Sequence, residues 1–333
     1  LGCVDLAYFS KELSPRDFYL GLFYGNKMTF TEILAKDLGR TKKEVQSFLY
    51  TAPDRYKVYS IPKRKHGFRV IAQPSKELKE YQRHFESLYP LPVHSCAMAY
   101  CRGKSIKDNA LAHRKHSYLL KLDLENFFNS ITPSLFWGVW SSEGDLPCLA
   151  DQQWIEKLLF WNSKDKLVLS VGAPSSPLIS NYCMLYFDKA LSLYCKGQGV
   201  TYTRYADDLT FSTNLKNILF SFPSKIESLL QEHFSEDLII NKSKTAFSSK
   251  AHNRHVTGIT ITNNETISLG RERKRYIKHK VHQFKLSRLD NDEIQHLKGL
   301  LSFAKHIEPK FVESLNKKYS DTLMKEIFEV KDE

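Results

Sequence analysis

The stretch Thr201-Tyr202-Thr203-Arg204-Tyr205-Ala206-Asp207-Asp208-Leu209-Thr210-Phe211-Ser212-Thr213 sets two β-prone runs around a pair of adjacent acids. Residues 201–205 and 209–213 are rich in β-branched and aromatic side chains. Both are expected as strands, with Ala206, Asp207 and Asp208 between them. A hairpin turn usually carries Asn-Gly or Asp-Gly. Two neighbouring carboxylates instead repel unless a cation lies between them. Side chains alternate across a strand, so the two acids do not both point along one face. The stretch reads as half of a metal site, a plain acidic turn being the alternative.

A second acid supplies the other half. Lys121-Leu122-Asp123-Leu124-Glu125 ends an apolar strand expected over 118–124. Alone, Asp123 reads as the cap of a following helix. Two strand-end carboxylate sites in a basic chain point to a pair of Mg²⁺ ions, with Mn²⁺ as a substitute, held by carboxylates and substrate phosphate oxygens. Ions about 3.5–4 Å apart activate an attacking hydroxyl and stabilise a leaving oxygen.

Outward from this centre the texture alternates. Thr29-x-x-Glu32 and Thr41-x-x-Glu44 fit capping boxes of two short helices separated by Gly39. These read as a packed pair, or as a helix-turn-helix. Residues 56–74 read as a hairpin with a basic tip at 63–67, followed by a helix over 75–89. Helices are expected over 133–140, 152–160 and 224–234, and a longer one over 177–196 begun by Pro177. The small-residue loop Gly172-Ala173-Pro174-Ser175-Ser176-Pro177 before it lets a backbone or a nucleotide approach closely. A hairpin turning at Asn263-Asn264 joins 256–262 to 265–269, and everything after Gly270 reads as helix. The pattern is an α+β core with helical lobes at both ends.

Composition narrows the class. A chain of 333 residues suggests about two domains. With 42% hydrophobic and 26% charged residues it is neither disordered nor membrane-spanning. No secretion signal is expected at the amino terminus; the chain begins at Leu1, so a short leader is expected to be missing. The 49 Lys and Arg against 37 Asp and Glu give a formal net charge of +12, which points to a polyanionic partner. Cys3, Cys96, Cys101, Cys148, Cys183 and Cys195 form no Cys-x-x-Cys pair and have no zinc spacing, so reduced thiols in a cytoplasm are expected.

The order strand-Asp123, Gly172-x-Pro174-x-Ser176-Pro177 loop, Tyr205-x-Asp207-Asp208 hairpin resembles motifs A, B and C of reverse transcriptases. Residues 61–75 are similar to the fingers hairpin of that family. There the resemblance implies that Lys63 and Arg69 hold the incoming triphosphate. Residues 238–245 are similar to motif D, with Lys244 as the lysine that protonates pyrophosphate. Asn109-Ala110-Leu111-Ala112-His113 and Val256-Thr257-Gly258 resemble the Asn-Ala-x-x-His and Val-Thr-Gly elements of bacterial retron reverse transcriptases. Taken alone, the first reads as a capped helix turn and the second as an ordinary strand. One departure stands out: Val171 occupies the place of the family's usual Gln before the motif B glycine, which helps position template-primer and nucleotide.

The resemblance implies a right-hand polymerase fold. Residues 1–54 would form an N-terminal helical region and 55–117 the fingers. Residues 118–262 would form the palm, an antiparallel sheet backed by helices with a fingers insertion within 140–172, and 263–333 a helical thumb. Asp123 and Asp207 would bridge both metals, the Leu124 carbonyl would add an oxygen, and Asp208 would complete the site. Phe128 would exclude a ribose 2′-OH, plain core being the alternative, and Gly172 would line the nucleotide. Asn109, His113 and residues 256–258 would contact RNA. Residues 271–288 carry eight Lys and Arg against the single acid Glu272. Of these, Arg271, Arg273, Lys274, Arg275 and Lys278 are expected on RNA, a solvated helix face being the alternative.

The expected partners are a cognate noncoding RNA, its multicopy single-stranded DNA (msDNA) product, dNTPs and a retron effector protein, with higher-order assembly and no membrane. Priming from a guanosine 2′-OH and a part in phage defence follow from the same resemblance. Another bacterial reverse transcriptase, of group II intron or diversity-generating type, is an open alternative. So is a catalytically silent nucleic-acid-binding defence protein.

Overall fold

The computed structural model describes residues 28–63, 67–144 and 146–330. Cys3, the rest of the chain before residue 28 and the centre of the basic tip lie outside the described residues. By Cα proximity the chain forms two compact units that interleave along the sequence. One takes Leu1–His94, Asn126–Lys189 and Leu230–Leu238; the other takes Ser95–Glu125, Ala190–Leu229 and Ile239–Glu333. These limits cut across the contiguous segments drawn from the sequence, because the strands of one sheet come from distant stretches of chain.

In the first unit, α1 (Phe30–Leu38) and α2 (Lys42–Tyr50) lead to the hairpin β1 (Tyr56–Pro62) and β2 (Phe68–Pro74), followed by α3 (Lys76–Leu88). The expected caps form: the Thr41 hydroxyl accepts from the Glu44 N–H at 3.3 Å while the Glu44 carboxylate accepts from the Thr41 N–H at 2.8 Å. Gly39 closes α1 at φ 63°. β1 and β2 pair antiparallel from Tyr56 opposite Pro74 to Pro62 opposite Phe68.

The second unit begins with α4 (Ile106–His113) and β3 (Tyr118–Asp123). The chain then returns to the first unit for α5 (Phe127–Ser130), α6 (Pro133–Glu143), α7 (Leu149–Leu159), the small hairpin β4 (Trp161–Ser163) and β5 (Lys166–Val168), and α8 (Ser176–Cys183). The core of that unit is aromatic. Phe48 stacks on Tyr81 with centroids 4.4 Å apart, and Phe136 meets Phe160 and Tyr182 edge-on. The single helix expected over 177–196 is two, α8 and α9 (Leu185–Gly197). The Met184 N–H between them is shared by the Ser180 and Tyr182 carbonyls, which interrupts the ladder without a Gly or Pro to announce it.

The second unit then completes its sheet with β6 (Thr201–Tyr205) and β7 (Asp208–Thr213). Next come α10 (Phe222–Phe234), which crosses between units, and β8 (Ala246–Ser249). The strand order is β6-β7-β3-β8, antiparallel throughout. A three-stranded sheet of β9 (Arg254–Val256), β10 (Ile259–Ile261) and β11 (Ile267–Ser268) follows, with β10 central. Residues 256–258 are therefore not the expected continuous strand. Thr257 at φ 46° and Gly258 at φ 78° form the tight turn from β9 to β10. α11 (Arg271–Lys285), α12 (Asn291–Ile307), α13 (Pro309–Tyr319) and α14 (Asp321–Glu329) close the chain. Ile277 and Val281 of α11 join Ala110, Leu119, Val256 and Leu297 in one buried cluster. One core thus links α4, the palm-like sheet, the small sheet and the terminal helices.

Among the described residues no helix is long and apolar enough to cross a membrane. Cys96, Cys101, Cys148, Cys183 and Cys195 form no disulfide.

Candidate active site

Strand register brings the acids together. β3 and β7 pair so that Asp123 lies directly opposite Asp208, Lys121 opposite Thr210 and Leu119 opposite Ser212. With a period of two, Asp123, Lys121, Asp208, Thr210 and Ser212 share one sheet face. Tyr205 pairs with Asp208, which leaves a two-residue turn of Ala206, at φ 56°, and Asp207. The Leu124 N–H donates to the Asp207 carbonyl at 3.0 Å and so ties the turn to the end of β3. Leu124 itself forms an antiparallel bridge with Ile240, and the Asn241 N–H donates to the Asp123 carbonyl at 2.7 Å. The segment from Ile239 to Asn241 therefore runs alongside and leads into a short 3-10 turn, Lys242–Lys244. That turn delivers the Lys244 ammonium to the Asp123 carboxylate, Nζ to Oδ1 2.6 Å.

Directly opposed like charges destabilise an antiparallel pair. Asp123 is buried, while Asp208 is open to solvent on one side. Loss of hydration, then the charges of Asp207 and Asp123, push the Asp208 carboxyl up to about 6; Lys121 and Lys244 pull the other way. Among the described residues no three His, Cys, Asp or Glu side chains converge as a ready metal cage. The arrangement nevertheless fits a hard divalent cation. Its donors are carboxylate oxygens, their mutual repulsion is only partly offset by nearby lysines, and one cationic ammonium already sits against Asp123.

A stability consequence follows. A carboxyl whose folded pKa lies above its ordinary 3.8 costs stability as pH rises through about 4 to 6, and the cost persists above that range. In EDTA at pH 8, Asp208→Asn is therefore expected to raise the melting temperature. The gain should shrink markedly near pH 4, where the folded carboxyl is protonated and the unfolded one about half so. Added Mg²⁺ should stabilise the wild type more than the variant. Calorimetry at both pH values checks this.

The remaining expected nucleotide contacts belong to the other unit. Lys63 and Arg69 are exposed on the β1–β2 hairpin, with Arg69 opposite Ile61. Phe128 is half-buried on α5, edge-on to the buried Phe127 at 5.4 Å. Gly172 adopts φ 132°, and a Cβ there would lie 3.1 Å from the Ala72 carbonyl oxygen. The Ala72 N–H donates to the Val171 carbonyl at 3.1 Å. What approaches Gly172 closely is thus the backbone of β2.

Asn109, His113 and Val256 are corrected as RNA-contacting side chains, because all three are fully buried. His113 Nδ1 lies 2.7 Å from Ser212 Oγ on β7, and Nε2 lies 2.7 Å from Thr203 Oγ1 on β6. The Thr203 hydroxyl donates to Asn109 Oδ1 at 2.5 Å, and His116 Nδ1 sits 2.7 Å from Ser212 Oγ. Burial, then His116, lowers His113 to about 3, so its ring is neutral. This polar clamp fastens α4 to both strands of the Asp207–Asp208 hairpin. The Val-Thr-Gly turn is its neighbour: the Thr257 hydroxyl donates to the Ile106 carbonyl at 3.4 Å and Arg273 to the Gly258 carbonyl at 3.3 Å. Sequence reasoning missed Lys121, Thr203 and Ser212, although Lys121 two residues before Asp123 and Ser212 four after Asp208 fall on the acids' face by strand alternation, a visible signal.

On α11 the stripe Arg271, Arg275, Lys278, His282 and Lys285 follows i+3 and i+4 steps, and all five are exposed. Two of the expected contacts sit to its side and are half-buried. Lys274 pairs with Glu308 at 2.5 Å, and the Arg273 guanidinium lies over Phe303 at 5.1 Å.

The reverse transcriptase (RNA-dependent DNA polymerase) family matches residues 61–261. Retron Ec83 reverse transcriptase of Escherichia coli is 48% identical over 82% of this chain and 89% of its own. Retron Ec86 reverse transcriptase, also of Escherichia coli, is 33% identical over 81% of this chain and 84% of its own. A solved telomerase of Candida albicans, in complex with a fragment of telomeric RNA, overlaps 78% of this chain and 56% of its own at TM-score 0.44 and 13% identity. With an antiparallel acid-bearing hairpin on an α+β frame, and with relatives this similar along most of its length, the chain belongs to the bacterial retron reverse transcriptases and is an RNA-directed DNA polymerase.

Proposed function

We propose that the chain copies a cognate noncoding RNA into multicopy single-stranded DNA, starting from a guanosine 2′-OH. In this reading it acts in the cytoplasm beside an effector protein in defence against phage. The observation that supports the reading most is the cross-strand meeting of Asp123 with Asp208 beside Asp207, in a chain 48% identical to a retron enzyme. Asp123, Asp207 and Asp208, with the Leu124 carbonyl, would hold two Mg²⁺ ions. When bound, these supply charge neutralisation for phosphoryl transfer and lower the pKa of the attacking hydroxyl. The chain's own groups do the rest. Lys63 and Arg69 bind the triphosphate, Gly172 keeps the motif B loop close to its supporting strand, and Lys244 gives a proton to the leaving pyrophosphate.

Phe128 selects the sugar. Phe128→Ala should relax discrimination against ribonucleotides by roughly tenfold to a hundredfold, the range a steric pocket supplies. Paired dNTP and NTP incorporation rates measure it.

The exposed cations of α11 bind the RNA backbone, and the buried Asn109–His113 clamp and the Val-Thr-Gly turn position that helix and the palm for it. Replacing Arg271, Arg275 and Lys278 together by Gln should lower the slope of log affinity against log salt by about 2 to 3. An unchanged slope would remove phosphate contact from this helix. The whole reading is tested by purifying the chain with its bound nucleic acid, treating it with debranching enzyme and sequencing. A 2′–5′ branched RNA–DNA product is expected, and a linear DNA product overturns the priming mode.

A further inference from the structure

The end of the sheet opposite the acids carries a second concave feature that the copying reaction does not use. A cavity of about 270 Å³ is lined by Tyr118, Leu215, Phe220, Phe247, Ser249 and His252, among others. Tyr118 opens β3 whereas Asp123 ends it, so the two sites are separated by about 17 Å of strand.

The lining is aromatic and open to solvent. Phe220 is 66% exposed, Leu215 53% and Phe247 44%, and the Phe220 and Phe247 rings lie 5.1 Å apart at 41°. Exposed aromatic surface of this kind marks a contact site in a water-soluble fold. The charge around it is one-sided. The three segments that meet here, 114–119, 214–221 and 245–253, carry Arg114, Lys115, Lys216 and Lys250 with His116 and His252, and no Asp or Glu. One acid reaches in from the adjoining turn, Glu265, at 3.9 Å from Lys250 Nζ.

We propose that this cavity is a binding site for single-stranded nucleic acid, in which Phe220 and Phe247 stack an unpaired base while Lys216 and Lys250 face its phosphates. Aromatic side chains in a cationic rim are how a protein holds an unpaired strand without reading sequence. The rim also disfavours the competing occupants: a second copy of this chain would bring like charge to like charge, and a basic peptide would be repelled. The site stands apart from the catalytic reading. It is populated without metal or nucleotide, so its failure and the failure of DNA synthesis are separate results.

The test uses the full chain in EDTA with short single-stranded oligonucleotides. One set carries 2-aminopurine to report stacking, and another carries a photoreactive uridine to map contacts by mass spectrometry. Ribo- and deoxyribo-versions are compared, and binding of either supports the proposal while the tighter one names the source strand. Wild type should quench 2-aminopurine and crosslink within 214–253. Phe220→Ala with Phe247→Ala should weaken that binding about tenfold or more. Lys216→Gln with Lys250→Gln should flatten its salt dependence. Both pairs are at the surface, so polymerisation on a short primed template should persist and certify the fold. Crosslinks confined to α11, or quenching indifferent to the Phe pair, overturn the proposal. Self-association that the Phe pair abolishes, without crosslinks, overturns it as well, in favour of a protein interface.

Discussion

Asp207→Asn is expected to reduce RNA-templated DNA synthesis by at least about a thousandfold, and Asp123→Asn to do the same. A divalent cation at a phosphoryl-transfer centre supplies several kcal/mol of transition-state charge stabilisation, and each 1.4 kcal/mol or so is tenfold in rate. Asn is nearly isosteric with Asp, so it removes charge without removing volume. The backbone framework that builds the turn also survives the change: the Leu124 N–H still meets the Asp207 carbonyl, and the Asn241 N–H the Asp123 carbonyl. Folded but inactive protein is therefore the expected state. Single-turnover dNTP incorporation measures the loss, and circular dichroism with thermal melting checks the fold. A variant within tenfold of wild type would remove Asp207 from the metal site and with it the account of catalysis. The Asp208 carboxyl, pushed up to about 6 by loss of hydration and by Asp207 and Asp123, adds an internal check. With the Asp207 charge gone, the folded pKa of Asp208 should fall toward the ordinary carboxylate value, and its cost to stability above pH 6 should shrink.

How much of this was legible before folding depends on the range of the interaction. The Tyr205-Ala206-Asp207-Asp208 hairpin was legible because its strands are short, β-branched and adjacent, and because turn chemistry is local. That Asp123 joins it was legible only as a second strand-end acid. Its placement opposite Asp208, and not one residue away, is set by the β3–β7 register, which is fixed by burial of Leu120, Leu122, Leu209 and Phe211. The His113 clamp was not legible as a clamp. A helical histidine four residues after an asparagine looks alike whether its partners are RNA phosphates or the hydroxyls of Thr203 and Ser212. The Val-Thr-Gly turn carried its signal in Gly258, whose left-handed φ a strand does not need. The break at Met184 carried none, since Tyr182-Cys183-Met184-Leu185 is uninterrupted helix-compatible sequence.

Lys244→Met is expected to slow nucleotide addition by about a hundredfold, the lower end of what a positioned general acid contributes. KM for the dNTP should change little. The structure adds a requirement that a motif match alone does not contain. The ammonium lies 2.6 Å from Asp123 Oδ1, on a side chain 57% exposed, so the lysine would compete with a bound cation for that oxygen. Were Asp123 to hold a cation, it would give up Lys244, and the ammonium would be free to turn toward the nucleotide as the proposed proton donor. Removing the ammonium removes the competitor. Mn²⁺ binding to the nucleotide-free chain, followed by electron paramagnetic resonance, should be at least as tight in Lys244→Met as in wild type while the rate falls. Those two readouts move in opposite directions, which a general loss of structure does not produce. Lys244→Arg separates charge from proton transfer: its guanidinium keeps the pair with Asp123 but gives up no proton in the working pH range. If Lys244→Arg retained the full rate, the lysine would act through charge alone. A rate as low as that of Lys244→Met assigns it the proton.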